Sequence, residues 1–366
     1  MFSTYNCIKI AIISDAFLPT KGADMNTFSK RDTSIIKGLA VLMLICHHLG
    51  MGILPAPIDW FNDPFLTIIA TLCKVCVAVF VVLSGYGINE SRKRYIGSDF
   101  SFVKNHLLKL MKQYWFIFVI FVPLGFLCQA SPIAVYGTGL KGFLYLIIDF
   151  LGMKSLFNTP TMNQTWWYME AVIVLYIFYP VLKRLLKRLP VLVLAVTFIP
   201  IIYFNANPVT VDGCREIYWF FPFAVGILLS EHDVPNSFSR LAESHFSVVC
   251  AASVVAVIAM TYVRSYFGII ADTFYALAII AFCKVSICRI KYVSSVFDYL
   301  GFHSANIFMM HSFLYCYYVP IKQLLFVVPS ALFNFLFLTL ECVVVSDYIE
   351  ILKKRIGPIA VKQKNL

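Results

Sequence analysis

Apolar runs of about bilayer length recur ten times along this chain, at roughly 35–54, 65–88, 113–130, 164–182, 189–205, 216–231, 246–263, 267–284, 304–320 and 327–350. A segment inside lipid must satisfy its own backbone hydrogen bonds, so runs of this length read as helices. The expected fold is therefore an all-α integral membrane bundle of about ten transmembrane helices. Composition agrees, because 60% hydrophobic side chains against 13% charged and a mean hydropathy of +0.81 are too apolar for a soluble domain. One further run, 140–153, spans only fourteen residues and carries Asp149, which suits a short re-entrant or interfacial helix better than a crossing.

The basic residues fix an orientation. With the N-terminus inside and 140–153 uncrossed, twenty-four Lys and Arg fall on the inner side and five on the outer, with Lys74 inside the second run. Both termini are then cytoplasmic, and the chain is expected to be a multi-pass protein of the plasma (inner) membrane. The net charge of +11 sits in short clusters between apolar runs, so it sets topology and implies the lipid bilayer, not nucleic acid, as the partner. Residues 1–30 read as an N-terminal tail, of which 1–24 fit an over-long start or a poorly ordered segment. Residues 31–352 form the transmembrane domain and 353–366 a basic cytoplasmic tail. No A-x-A cleavage site accompanies the first apolar run. Internal repeats are not evident. Eleven Cys are scattered, mostly inside apolar runs and without metal-ligand spacing, so they read as small hydrophobes and no metal is expected.

Within the first run, RDTSIIKGLAVLMLICHHLG, Lys37 and His48 are eleven residues apart. At 100° per residue they share a helix face to within about 20°, roughly 16 Å apart along the axis, while His47 lies about 100° round. An ionisable residue inside an apolar helix is either a functional group facing a cavity or a polar contact to a neighbouring helix. From the helix alone both remain open.

Six segments, in order, resemble the acyltransferase 3 family of integral membrane O-acyltransferases. IIKGLAVLMLICHH is similar to its basic-x10-His helix, FVVLSGYGI (80–88) to its F-x-x-S-G-[FY] segment, and FVKNHLLKLMKQYW (102–115) to its basic helix ending in P-x-Y-W. NQTWWYMEAVIVLYIFYPVL (163–182), WFFPFAVGILLSE (219–231) and LGFHSANIFMMHSF (300–313) resemble the remaining three. Two positions depart from the pattern: Lys37 stands where Arg is commoner, keeping the charge without the planar fork, and Lys112 where Pro is usual.

The resemblance implies O-acylation with acyl-CoA, most simply acetyl-CoA, as co-substrate, no bound cofactor, and a carbohydrate or lipid-linked glycan acceptor at the cell surface. His48 is the expected general base, since imidazole titrates nearest operating pH. Lys37, Lys109, Ser84 and Gly85 are assigned to the donor, although Ser84 and Gly85 also suit close helix packing. Arg92, Arg94, Lys104 and Lys112 add cations that topology alone explains for the first three. Trp166 and Trp167 are candidates to stack on the acceptor or to form an interfacial belt. Glu170 is placed with the catalytic residues, orienting a His or an acceptor hydroxyl, with an ion pair to Lys74 as the competing use. Ser304 and His311, seven apart on one face, are expected as a buried polar contact lining the same cavity. A transporter using His48 and Glu170 as a proton relay is the alternative, and a membrane polysaccharide polymerase or ligase a third.

Overall fold

The computed structural model describes residues 26–50, 64–207 and 215–362, and these form helices without strands. The expectation for residues 1–24 lies outside the described residues. Fifteen α-helices follow one another among the described residues: α1 (Lys30–Gly50), α2 (Pro64–Cys73), α3 (Cys76–Lys93), α4 (Asp99–Leu124), α5 (Pro132–Tyr136), α6 (Gly139–Phe150), α7 (Trp167–Arg188), α8 (Pro190–Ala206), α9 (Phe220–Glu231), α10 (Val234–Ser244), α11 (Phe246–Phe267), α12 (Asp272–Val285), α13 (Lys291–Ser312), α14 (Val319–Leu325) and α15 (Ala331–Lys362). Four stretches among them are long and apolar enough to cross a membrane: Lys30–Gly50, Pro64–Lys93, Asp99–Leu124 and Phe246–Arg289. The shorter Pro190–Ala206 and Ile217–Glu231 are also apolar.

Helix continuity differs from apolar continuity at several of the expected runs. The run 65–88 is divided at Lys74 and Val75, where Arg264 of α11 donates to the freed Thr71 carbonyl at 2.7 Å. The run 304–320 is interrupted after α13 by a π-helical turn, Phe313–Tyr317. The third run lies inside a longer helix that starts at Asp99, capped by the Ser98 hydroxyl accepting from the Ser101 N–H. At the other end α15 continues to Lys362, so the basic segment begins as part of the last helix. Hydropathy windows see transfer energy and not backbone geometry, which is why these breaks are invisible to them. The 140–153 run is the twelve-residue α6, about 18 Å long at 1.5 Å per residue and short of a bilayer core.

Two crossings of small residues set the core. A Cβ on Gly38 of α1 would fall 2.0 Å from the Phe297 carbonyl of α13, and one on Gly301 would fall 1.8 Å from the Ser34 carbonyl. Gly85 of α3 and Gly226 of α9 meet in the same way, at 2.2 Å from Phe223 O and 2.1 Å from Val82 O. Such residues let helices approach backbone to backbone where lipid offers no hydrophobic drive. Two buried ion pairs lie among the described residues: Lys284 meets Asp32 at 3.0 Å and Arg264 meets Asp272 at 2.5 Å. By contrast α11 leaves Val248, Val255, Ile258 and Tyr262 exposed, an apolar surface suited to lipid.

Candidate active site

The α1–α13 crossing carries a cavity at each end. At the Lys37 end a cavity of about 810 Å³ is lined by Lys37, Lys109, Lys112, Gln113, Ser304, Glu350 and Lys353, among others. Lys353 donates to Asn306 at 2.9 Å and to Glu350 at 2.8 Å, and Gln113 also donates to Asn306, at 3.1 Å. Four lysines against one carboxylate give this cavity a positive field. At the other end a cavity of about 490 Å³ is lined by His47, His48, Lys74, Lys154, Trp167, Trp219 and neutral polar groups of the loop from Lys154 to Thr165. The two cavities come within one turn of each other on α13, where Ser304 and Ala305 line the first and Phe308 the second. The Phe308 ring is held there by Tyr168 (4.5 Å between centroids) and Phe80 (5.7 Å).

His48 sits in a group of rings. Its centroid is 4.9 Å from His311 and 6.1 Å from Tyr315, and its Nδ1 is 3.4 Å from the Tyr315 hydroxyl. His311 is fixed in one tautomer, because its Nδ1 lies 3.0 Å from both the Ile307 and Phe308 carbonyls and must carry the proton. His47 also lines the cavity, but its Nδ1 is engaged at 2.8 Å with the Ala70 carbonyl. The helical separation of about 100° therefore sends one histidine toward α2 and the other toward α13.

Several expected site residues sit elsewhere. Glu170 is buried with its two oxygens accepting from the Ser155 N–H at 2.8 Å and the Leu156 N–H at 2.7 Å. It reaches neither a histidine nor Lys74, and it acts on the site by anchoring the loop that walls the His48 cavity. Asp149 anchors the same loop further on, accepting from the Tyr136 hydroxyl at 2.6 Å and the Met162 N–H at 3.1 Å. Burial pushes the Asp149 carboxyl up to about 6 despite those two donors. Trp166 is only 1% exposed and donates from Nε1 to the Met309 carbonyl at 2.9 Å, so it braces α13 and offers no face to an acceptor. Trp167 does line the cavity, stacked on Trp219 at 5.8 Å and 19°.

Ser84 is engaged with the Tyr168 and Tyr176 hydroxyls, and Gly85 is consumed by its crossing with α9; neither lines the Lys37 cavity. Ser304 and His311 share a face but lie about 10 Å apart along the axis, so Ser304 opens on the Lys37 cavity and His311 packs on His48. Trp219 and Lys353 line the cavities and Tyr315 packs against His48 and His311, none of them singled out by the sequence. Tyr315 lies in the π-helical turn, a backbone irregularity frequent at functional sites that composition does not reveal.

A cationic chamber and a histidine chamber at the two ends of one buried helix, within a bundle bearing bilayer-length apolar helices, fit a group-transfer enzyme of the membrane. The acyltransferase domain model of the acyltransferase 3 family matches residues 33–350. The chain belongs to that family and is a membrane acyltransferase. No curated protein and no solved structure matches it.

Proposed function

We propose that the chain moves an acetyl group from cytoplasmic acetyl-CoA to a hydroxyl of a cell-surface polysaccharide or its lipid-linked precursor, in the plasma membrane. One observation carries the reading: α1 lends Lys37 to the cationic cavity and His48 to the aromatic one. The charge asymmetry of the loops supports ten spans with both termini cytoplasmic, which turns the Lys37 end toward the compartment where acyl-CoA is made.

In this reading the CoA phosphates meet Lys37, Lys109, Lys112 and Lys353, and the thioester arm runs along α1 past Phe308 toward His48. The His48 tautomer that gives its Nδ1–H to the Tyr315 oxygen keeps a lone pair on Nε2. That nitrogen takes the acceptor hydroxyl proton as the oxygen attacks the thioester carbonyl. The tetrahedral adduct collapses with cleavage of the C–S bond, and the departing CoA thiolate takes up the proton. Glu170 serves through the loop it anchors. Trp167 and Trp219 offer stacking faces to a sugar ring.

The test compares surface glycans by mass spectrometry from cells with the intact chain, with His48→Ala, and without the chain. A loss of one acyl group per modified sugar in both of the latter is expected. Identical glycans in all three would refute the reading.

A further inference from the structure

The His48 cavity carries more positive charge than a neutral sugar needs. Lys74 and Lys154 both line it, and among the described residues no Asp or Glu does. The acids around its wall are already engaged. Glu170 serves the Ser155 and Leu156 amides, Asp149 serves Tyr136 and Met162, and Asp272 pairs with Arg264. Lys284 and Arg264, the buried cations of the bundle, have carboxylates at 3.0 and 2.5 Å. Lys74 has no hydrogen-bond acceptor or carboxylate of this kind among the described residues, although it stands at the break between two membrane helices. Lys74 is exposed and lines the cavity, so its ammonium is open to an incoming anion.

Two further groups in the same lining are unsatisfied. The Trp219 Nε1–H and the Thr159 hydroxyl are buried and without a hydrogen-bond partner among the described residues, and Trp219 as a whole is 95% buried by its 5% exposure. Buried donors left open in this way point to a missing acceptor atom. Lys154, at the rim, reaches only the neutral Gln164 side-chain oxygen, at 3.3 Å.

We propose that this cavity takes an acceptor bearing an anionic group, a phosphate or a carboxylate, bound by the Lys74 ammonium with Trp219 Nε1–H, Thr159 and Lys154 as further donors. The inference rests on the acyl-transfer reading and narrows its acceptor class. The anion sits beside the hydroxyl offered to His48, so charge selects the acceptor while the aromatic faces orient its ring. Charge-assisted hydrogen bonds are about twice as strong as neutral ones, and this makes Lys74 the discriminating residue.

The test uses the full chain in phosphatidylcholine nanodiscs holding saturating acetyl-CoA, so that the Lys37 cavity is occupied. Tryptophan emission is followed while pyrophosphate or glucuronate is titrated, and in separate discs doped with dicetyl phosphate. A saturable response is expected, absent in Trp219→Phe, at least tenfold weaker in Lys74→Gln and retained in Lys74→Arg. A response to dicetyl phosphate alone identifies a lipid-carried phosphate, and a response to glucuronate an acidic sugar. Failure of all three probes, or equal affinity in Lys74→Gln and the unaltered chain, overturns the proposal. Acetyl-CoA binding is measured in the same discs. Its absence would overturn the acyl-transfer reading, whereas its presence without anion binding would overturn this inference alone.

Discussion

The two cavities differ in what walls them, and that difference separates generality from selectivity. The Lys37 cavity is built from side chains of α1, α4, α13 and α15, and its main property is a positive field suited to a polyanion. The His48 cavity has one wall made of loop, residues 154–165, hung from two buried carboxylates, Asp149 and Glu170. Loops on a rigid scaffold are where binding preferences are changed with least damage to the fold. The Lys37 end therefore reads as a fixed electrostatic socket and the His48 end as an adjustable one.

The largest expected break in this comparison is His48→Ala. General base catalysis is worth about 10²- to 10⁴-fold, so kcat should fall by that factor while acetyl-CoA binding at the Lys37 end is kept. His47→Ala should keep most of the activity, since that ring serves the Ala70 carbonyl. Equal losses in both, measured on folded protein, would mean the histidines act as one unit.

Asp149→Asn tests the hung wall. A carboxyl raised to about 6 when folded binds its proton more tightly than in the unfolded chain, where it titrates near 3.9. Its contribution is complete below about pH 4 and is lost as pH rises through about 6, a window worth about 3 kcal/mol at 1.36 kcal/mol per unit. Thermal unfolding in detergent should show that slope in the unaltered chain and a flatter one in Asp149→Asn. An unchanged slope would show that Asp149 does not control the loop's stability.

Lys37→Gln addresses the socket. Loss of one charge-assisted contact, about 1.5–3 kcal/mol, should raise KM for acetyl-CoA roughly ten- to a hundredfold, less so in high salt. Lys37→Arg should stay active. A fall confined to kcat would move Lys37 out of donor binding and into the chemistry at His48. The smallest effect is expected for Tyr315→Phe, which removes one neutral hydrogen bond of about 0.5–1.5 kcal/mol from His48. Steady-state assays should show a few-fold drop in kcat with KM for the donor unchanged.

The membrane class and the placement of Lys37 and His48 at opposite ends of one helix were legible because spacing and charge sign are written directly in the residues. The surroundings of three other residues were hidden for one cause. Glu170, Trp166 and Ser84 are polar or amphipathic residues at membrane depth, and pattern alone cannot say whether their partners are ligand or protein. In each case a backbone amide, a carbonyl or a neighbouring tyrosine hydroxyl had claimed them. Lys74 was visible only as a charge inside an apolar run and not as a helix break, and the π-helical turn that carries Tyr315 was hidden because apolar and aromatic side chains continue through it.

The tight contact of Gly38 with Phe297 and of Gly301 with Ser34 also bears on how the chain is made. His48 and Tyr315 are separated by 267 residues, so α1 enters the bilayer long before the helix that completes its site exists. At about 5–20 residues per second that interval is on the order of 10–50 s. Throughout it the first helix holds Lys37 and His48 without the α13 surface that completes their surroundings, a segment poorly suited to lipid on its own. A chain that stops short of residue 291 therefore leaves ionisable side chains of its first helix at membrane depth without the helix that covers them.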